Sequence, residues 1–146
     1  MNLNNAKTAQ QNILDLLNSL NGTNLTAVNV TFGTVEELIE QPTNARVQLT
    51  PGATPVFSGS DYLYYNRSSA VNQLGSSESI QVTVTAGMTD QQIFDAAMAV
   101  FPLQAAEWRF VAAQMPVVGV RPGLLIVSAK PDSLIYHGDY SFKLVF

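Results

Sequence analysis

Between residues 9 and 20 the apolar side chains fall at Ile13, Leu14, Leu16, Leu17 and Leu20. Spacing of i, i+3, i+4 and i+7 gathers them into one stripe on an α-helix. Thr8 and Gln11 stand three apart at its start, the spacing at which a hydroxyl and a glutamine side chain cap each other's backbone amides. Asn21-Gly22 supplies a left-handed stop. The same design returns at Asp90–Phe101. There Thr89 and Gln92 form the box, the stripe is Ile93, Phe94, Ala96, Ala97, Val100 and Phe101, and Pro102 closes it.

Period-two alternation follows each helix. Val28–Phe32 and its counterpart Trp108–Val111 read as half-buried strands. Arg46–Thr50 and Leu124–Ser128 are the next strands, bounded by Pro51-Gly52 and Pro122-Gly123. Tyr62–Arg67 and Tyr140–Phe146 come last, and Ser79–Ala86 leads into the second helix. The shared helix positions are offset by 93 − 13 = 80 residues. Leu16, Leu17, Val30, Ile93, Ala97 and Phe110 are the expected core.

Two segments break the correspondence. Thr34–Gln41, with Thr34 and Glu37 at capping-box spacing, predicts a short helix carrying Leu38 and Ile39 and closed by Pro42. Gln114–Pro122 is an apolar loop holding Met115, Val117, Val118 and Val120 between prolines 116 and 122. The fold class that results is α+β: two tandem helix-plus-antiparallel-strand modules with a pseudo-twofold internal repeat. The first module spans 1–70 and the second 79–146, joined by a Ser-, Asn- and Gly-rich linker at 71–78 and sharing one core.

Charge changes the picture. Asp, Glu, Lys and Arg make up 12% of the chain, about half the usual share, so the polar surface is built from Asn, Gln, Ser and Thr. Sparse charge weakens resistance to association and points to life within an assembly. The seven basic residues are scattered and the net charge is −4, which argues against nucleic acid, whose binding needs clustered cations. No apolar run reaches membrane-spanning length. A basic-then-apolar leader is also missing, so synthesis in a cytoplasm is expected.

Candidate chemistry is thin. There is no cysteine, and the one histidine, His137, sits among Asp132, Ser133 and Asp139. Catalytic triads are assembled from separated segments, so His137 reads as a solvated turn residue. Two carboxylates and one imidazole on a hairpin are a poor metal site. Glu36, Glu37 and Glu40 read as the solvated face of the short helix. No glycine-rich phosphate loop links a strand to a helix. We therefore assign no catalytic, cofactor or metal residues and expect no enzyme. Tyr62 and Tyr64 share one strand face and Tyr65 takes the other. The pair could stack on a sugar, although core packing is the ordinary role of such residues. Trp108 is read as core.

Val28-Asn29-Val30-Thr31-Phe32-Gly33, Phe57-Ser58-Gly59 and Tyr64-Tyr65-Asn66-Arg67 form a pattern, echoed in part by Tyr136-His137-Gly138 and Ser141–Phe146. It resembles that of virion structural proteins of large tailed bacteriophages. The second half departs by lacking Tyr-Asn-Arg. The resemblance implies a virion protein made in a bacterial host cytoplasm. The favoured role is a capsid decoration or cement protein, with a neck, tail or baseplate component as the alternative. The implied partners are major capsid or tail proteins and further copies of the chain, with no nucleic acid and no membrane. A carbohydrate-binding module using the Tyr62–Tyr65 strand is the reading from another class. The expected interface combines Met115, Val117, Val118 and Val120 with Leu38 and Ile39. Tyr140 and Phe142 join it on a terminal strand open to β-augmentation.

Overall fold

The computed structural model describes residues 1–146. The chain divides into two compact units, Met1–Ser68 with Pro131–Ile135, and Ser69–Lys130 with Tyr136–Phe146. Both combine helix with mainly antiparallel strand, which makes the protein α+β.

The first unit opens with α1 (Ala9–Asn21) and continues into β1 (Val30–Glu37), β2 (Ala45–Pro51) and β3 (Asp61–Tyr65). The capping box forms at α1: Thr8 Oγ1 accepts from Gln11 N–H at 3.2 Å, and Thr8 N–H donates to Gln11 Oε1 at 2.9 Å. Gly22 ends the helix at φ 63°, a conformation open to glycine at little cost. Asn12, buried on the helix, donates to the Asn4 carbonyl at 3.0 Å and accepts from Asn4 N–H at 2.8 Å, which ties the amino-terminal segment to the first turn. The buried stripe is Ile13, Leu14 and Leu17; Leu16 is half-buried, and Leu20 is 62% exposed.

The three strands form an antiparallel meander in the order β1-β2-β3. Val35 pairs with Val47 and Phe32 with Leu49, so β1 carries one extra residue between them, a β-bulge. The expected helix at Thr34–Gln41 is absent. Thr34–Glu37 continues β1, and only the segment after it bends. Val35 fills the core opposite Val47, and Glu36 pairs across the strands with Arg46 at 2.6 Å. These non-local contacts outweigh a local capping signal worth about 1 kcal/mol.

The second unit contains α2 (Ala70–Leu74), β4 (Gln81–Thr83), α3 (Asp90–Val100), a 3-10 turn (Ala105–Glu107), β5 (Trp108–Gln114), β6 (Gly123–Ala129) and β7 (Asp139–Val145). Its strands run in the order β4-β7-β6-β5, with β4 parallel to β7 and the other pairs antiparallel. Thr89 and Gln92 again form a reciprocal cap on α3, which packs on β4 and β5. Ile93 and Ala97 are buried and Phe110 is half-buried. An aromatic cluster fills the core: Phe101 lies 5.4 Å from Trp108 and 5.0 Å from Phe142, and Trp108 lies 5.3 Å from Tyr136, between ring centroids.

The expected linker is part of this unit. It forms α2 and a turn whose Ser79 hydroxyl lies 2.8 Å from the Tyr140 hydroxyl, while Glu78 N–H donates to the Ser141 carbonyl at 2.6 Å. The expected boundary also moves at Pro131–Ile135, which belongs to the first unit; there Ser68 N–H donates to the Ile135 carbonyl at 2.8 Å.

Candidate functional site

Residues 115–122 form the tip of the β5–β6 hairpin. Val117 N–H donates to the Arg121 carbonyl at 2.9 Å, and the Val117 carbonyl accepts from Val120 and Arg121, each at 3.0 Å. Gly119 makes the turn at φ 71°. At the base, Gly123 packs so tightly against the Gln114 carbonyl and the Pro116 nitrogen that any Cβ there would collide with backbone. The Arg121 guanidinium donates to Gln114 Oε1. The tip is thus held by its own backbone, and the side chains it presents outward are apolar: Val118 is 81% and Val120 76% exposed. Val117 is exposed and Met115 half-buried. Pro116, Val117 and Val120 line a groove of about 450 Å³ with Leu144 and Phe146.

The other expected interface residues separate. Ile39 is 78% exposed at the β1–β2 turn in the first unit, and Leu38 beside it is half-buried. Tyr140 and Phe142 are fully buried in the aromatic cluster and cannot touch a partner. Nor is β7 an open edge, because it is hydrogen-bonded to β4 on one side and β6 on the other. The alternation of Tyr140–Val145 marks the inward face correctly. It does not reveal that β4 covers the outer edge.

On the outer face of β2 and β3, Tyr62 and Tyr64 are exposed, while Leu63 and Tyr65 point to the core. Their ring centroids are 6.4 Å apart and tilted by 50°. Arg46 links them: its Cζ lies 4.5 Å from the Tyr62 ring centroid, and its Nη1 is 3.5 Å from the Tyr64 hydroxyl. Its Nε and Nη2 donate to Glu36 Oε2 at 2.9 and 2.6 Å. The Tyr64 hydroxyl and then Glu36 raise the guanidinium pKa above its ordinary value. A groove of about 600 Å³ adjoins this face, lined by Leu17, Leu20, Leu25, Val56, Phe57 and Tyr62. Sequence reasoning missed this groove. Leu20 fits the buried stripe by its spacing alone, and Val56 lies in a Pro/Ser/Gly-rich stretch without periodicity.

His137 is half-buried, at the turn before β7. Ser133 is buried, with its Oγ accepting from Ile135 N–H at 3.4 Å. No three His, Asp or Glu side chains converge to hold a metal ion. Burial pushes the Tyr65 and Tyr136 hydroxyls above the usual tyrosine range. For Tyr65 the nearby Arg67 charge pulls the other way. For Tyr136 a backbone hydrogen bond at Gln104 lowers the pKa and Glu107 raises it. No helix is long and apolar enough to cross a membrane.

No curated protein and no solved structure matches the chain. Residues 2–145 match the model of a family described as "Family of unknown function (DUF7941)", and the protein belongs to that family.

Proposed function

We propose that the protein is a structural component of a bacteriophage virion, a decoration or cement accessory attached to the capsid exterior through protein–protein contacts. The observation that carries this reading is the hairpin tip, where Val118 and Val120 face water on a turn fixed by backbone hydrogen bonds. A prong already rigid loses little freedom on docking, so burial of its apolar surface translates into affinity. Sparse charge, 12% of residues, lowers the desolvation cost of covering the surrounding surface. The Tyr-Tyr-Asn-Arg resemblance supplies the virion context. The partners are then major capsid or tail proteins, made with this one in the bacterial host.

The test is the copy number per purified particle, measured by quantitative mass spectrometry against the major capsid protein. On the order of hundreds of copies supports the capsid exterior, because symmetric shells repeat each contact many times. A single ring's worth moves the protein to the neck, tail or baseplate. Absence from purified particles overturns the virion reading.

The exposed Tyr62 and Tyr64 favour a second reading, a carbohydrate-binding module. Aromatic rings beside the 600 Å³ groove offer sugar-stacking surface, although Arg46 already lies over the Tyr62 ring. Titration with oligosaccharides, comparing the protein with Tyr64→Ala, tests it. Identical responses remove the reading.

A further inference from the structure

Arg67 follows β3 and is 5% exposed, yet no carboxylate lies within ion-pair reach of its guanidinium. Nη1 donates to the Ser133 carbonyl at a long 3.4 Å, and Nε has no acceptor. Two residues earlier, and so on the same side of the extended chain, Tyr65 is 3% exposed with its hydroxyl unpartnered. All three residues belong to the first unit.

A buried cation without a counter-charge is strongly disfavoured. Orphaned buried donors in native proteins commonly mark a water or ion that occupies the site. Here two such donors belong to buried residues two apart in the chain, one of them charged, and the Arg67 charge acts on the Tyr65 hydroxyl. We propose that Arg67 and Tyr65 bind a small monovalent anion, of chloride or formate size, with Arg67 Nε and the Tyr65 hydroxyl as donors.

Three features favour this occupant. A water molecule would satisfy the hydrogen bonds but leave the positive charge uncompensated, whereas an anion does both. The burial of both side chains favours an occupant smaller than a phosphate ester or a peptide carboxylate. The site is also pre-organised: Asn44 holds the Arg67 peptide from both sides, accepting its N–H at 2.7 Å and donating to its carbonyl at 3.0 Å. Burial keeps the Tyr65 proton in place at neutral pH, so its hydroxyl stays a donor.

The experiment follows thermal unfolding of the full chain, together with chlorine NMR line width, near neutral pH. Sodium gluconate is exchanged for sodium chloride or sodium formate at constant ionic strength. The expected result is a saturable rise in Tm with either small anion, accompanied by chloride line broadening, and loss of both in Arg67→Met. Tyr65→Phe keeps the guanidinium and should weaken the apparent chloride affinity about tenfold, the effect of one hydrogen bond to an ion. A Tm independent of anion identity, without line broadening, would mean that water fills the site and overturns the proposal. An equal rise in Arg67→Met places the effect elsewhere on the surface and also overturns it. Should Arg67→Met not fold, Tyr65→Phe decides, because unchanged chloride affinity there excludes the site.

Discussion

The side-chain amide of Asn44 brackets the backbone of Arg67, with Asn44 Oδ1 accepting the Arg67 N–H at 2.7 Å and Asn44 Nδ2 donating to the Arg67 carbonyl at 3.0 Å. Asn66 completes the knot, its Oδ1 accepting Asn44 N–H at 2.9 Å. One asparagine thereby continues the β2–β3 ladder past its last paired residues, Ala45 and Tyr65. Replacing it strands two backbone groups in a partly buried place. Asn44→Ala should therefore lower unfolding stability by about 1–3 kcal/mol, measured by urea denaturation. Asn44→Asp, which keeps the acceptor, should lose less. Equal stability of Asn44→Ala and the parent would show that the bracket contributes nothing.

This bracket also marks where sequence reasoning reaches its limit. Helices α1 and α3 were legible because their signals are local: a capping pair, a stripe and a stop lie within a dozen residues. The meander strands were legible from alternation. Thr34–Glu37 misled because its local capping spacing competes with Val35–Val47 and Glu36–Arg46, contacts that exist only once β2 is beside it. Pro131–Ile135 belongs to the first unit through non-local contacts, the Ser68 to Ile135 hydrogen bond among them, that leave no periodic trace. Of the expected interface, the hairpin valines were visible as an apolar run between prolines. Tyr140 and Phe142 fail as contacts because their alternating face is the core face, and the cover on the strand edge comes from the three-residue β4.

The leucines of α1 separate burial from pattern. Leu17 is buried and Leu20 is largely exposed, although both fit the same stripe. Leu17→Ala should cost about 2–5 kcal/mol through lost burial and the cavity left behind. Leu20→Ala should stay within about 0.5 kcal/mol, as surface changes usually do. Parallel denaturation curves read both. Similar losses at the two positions would show that Leu20 is covered in solution.

Two buried tyrosines make stability fall in alkali. Burial raises the Tyr65 and Tyr136 pKa values above the ordinary 10.0. Above about pH 10 the unfolded chain loses these protons first, so it binds fewer protons than the native state and stability declines with pH. The contribution is fully present below that pH and is lost as pH rises toward the folded values. Each group adds a slope of up to about 1.4 kcal/mol per pH unit. Stability measured between pH 9 and 11 should fall more gently in Tyr65→Phe than in the parent. Superimposable profiles would show that the hydroxyl ionises as freely in the folded protein as in water.

The hairpin tip gives the most direct test of attachment. Val118 faces water, and Val117 beside it is exposed too, so charged replacements there meet solvent in the isolated protein and should leave its fold intact. The turn relies on the Val117 backbone and on Gly119, neither of which Val117→Asp with Val118→Asp removes. Against a partner, however, two carboxylates would have to leave water for an apolar surface, at several kcal/mol per unpaired charge. A change of about 4 kcal/mol is close to a thousandfold in affinity. The double variant should therefore show an unchanged unfolding transition and no incorporation when particles assemble with it in place of the parent protein. Full occupancy by a folded double variant would move the contact surface away from this tip, and the exposed Ile39 turn of the first unit would be the next surface to alter.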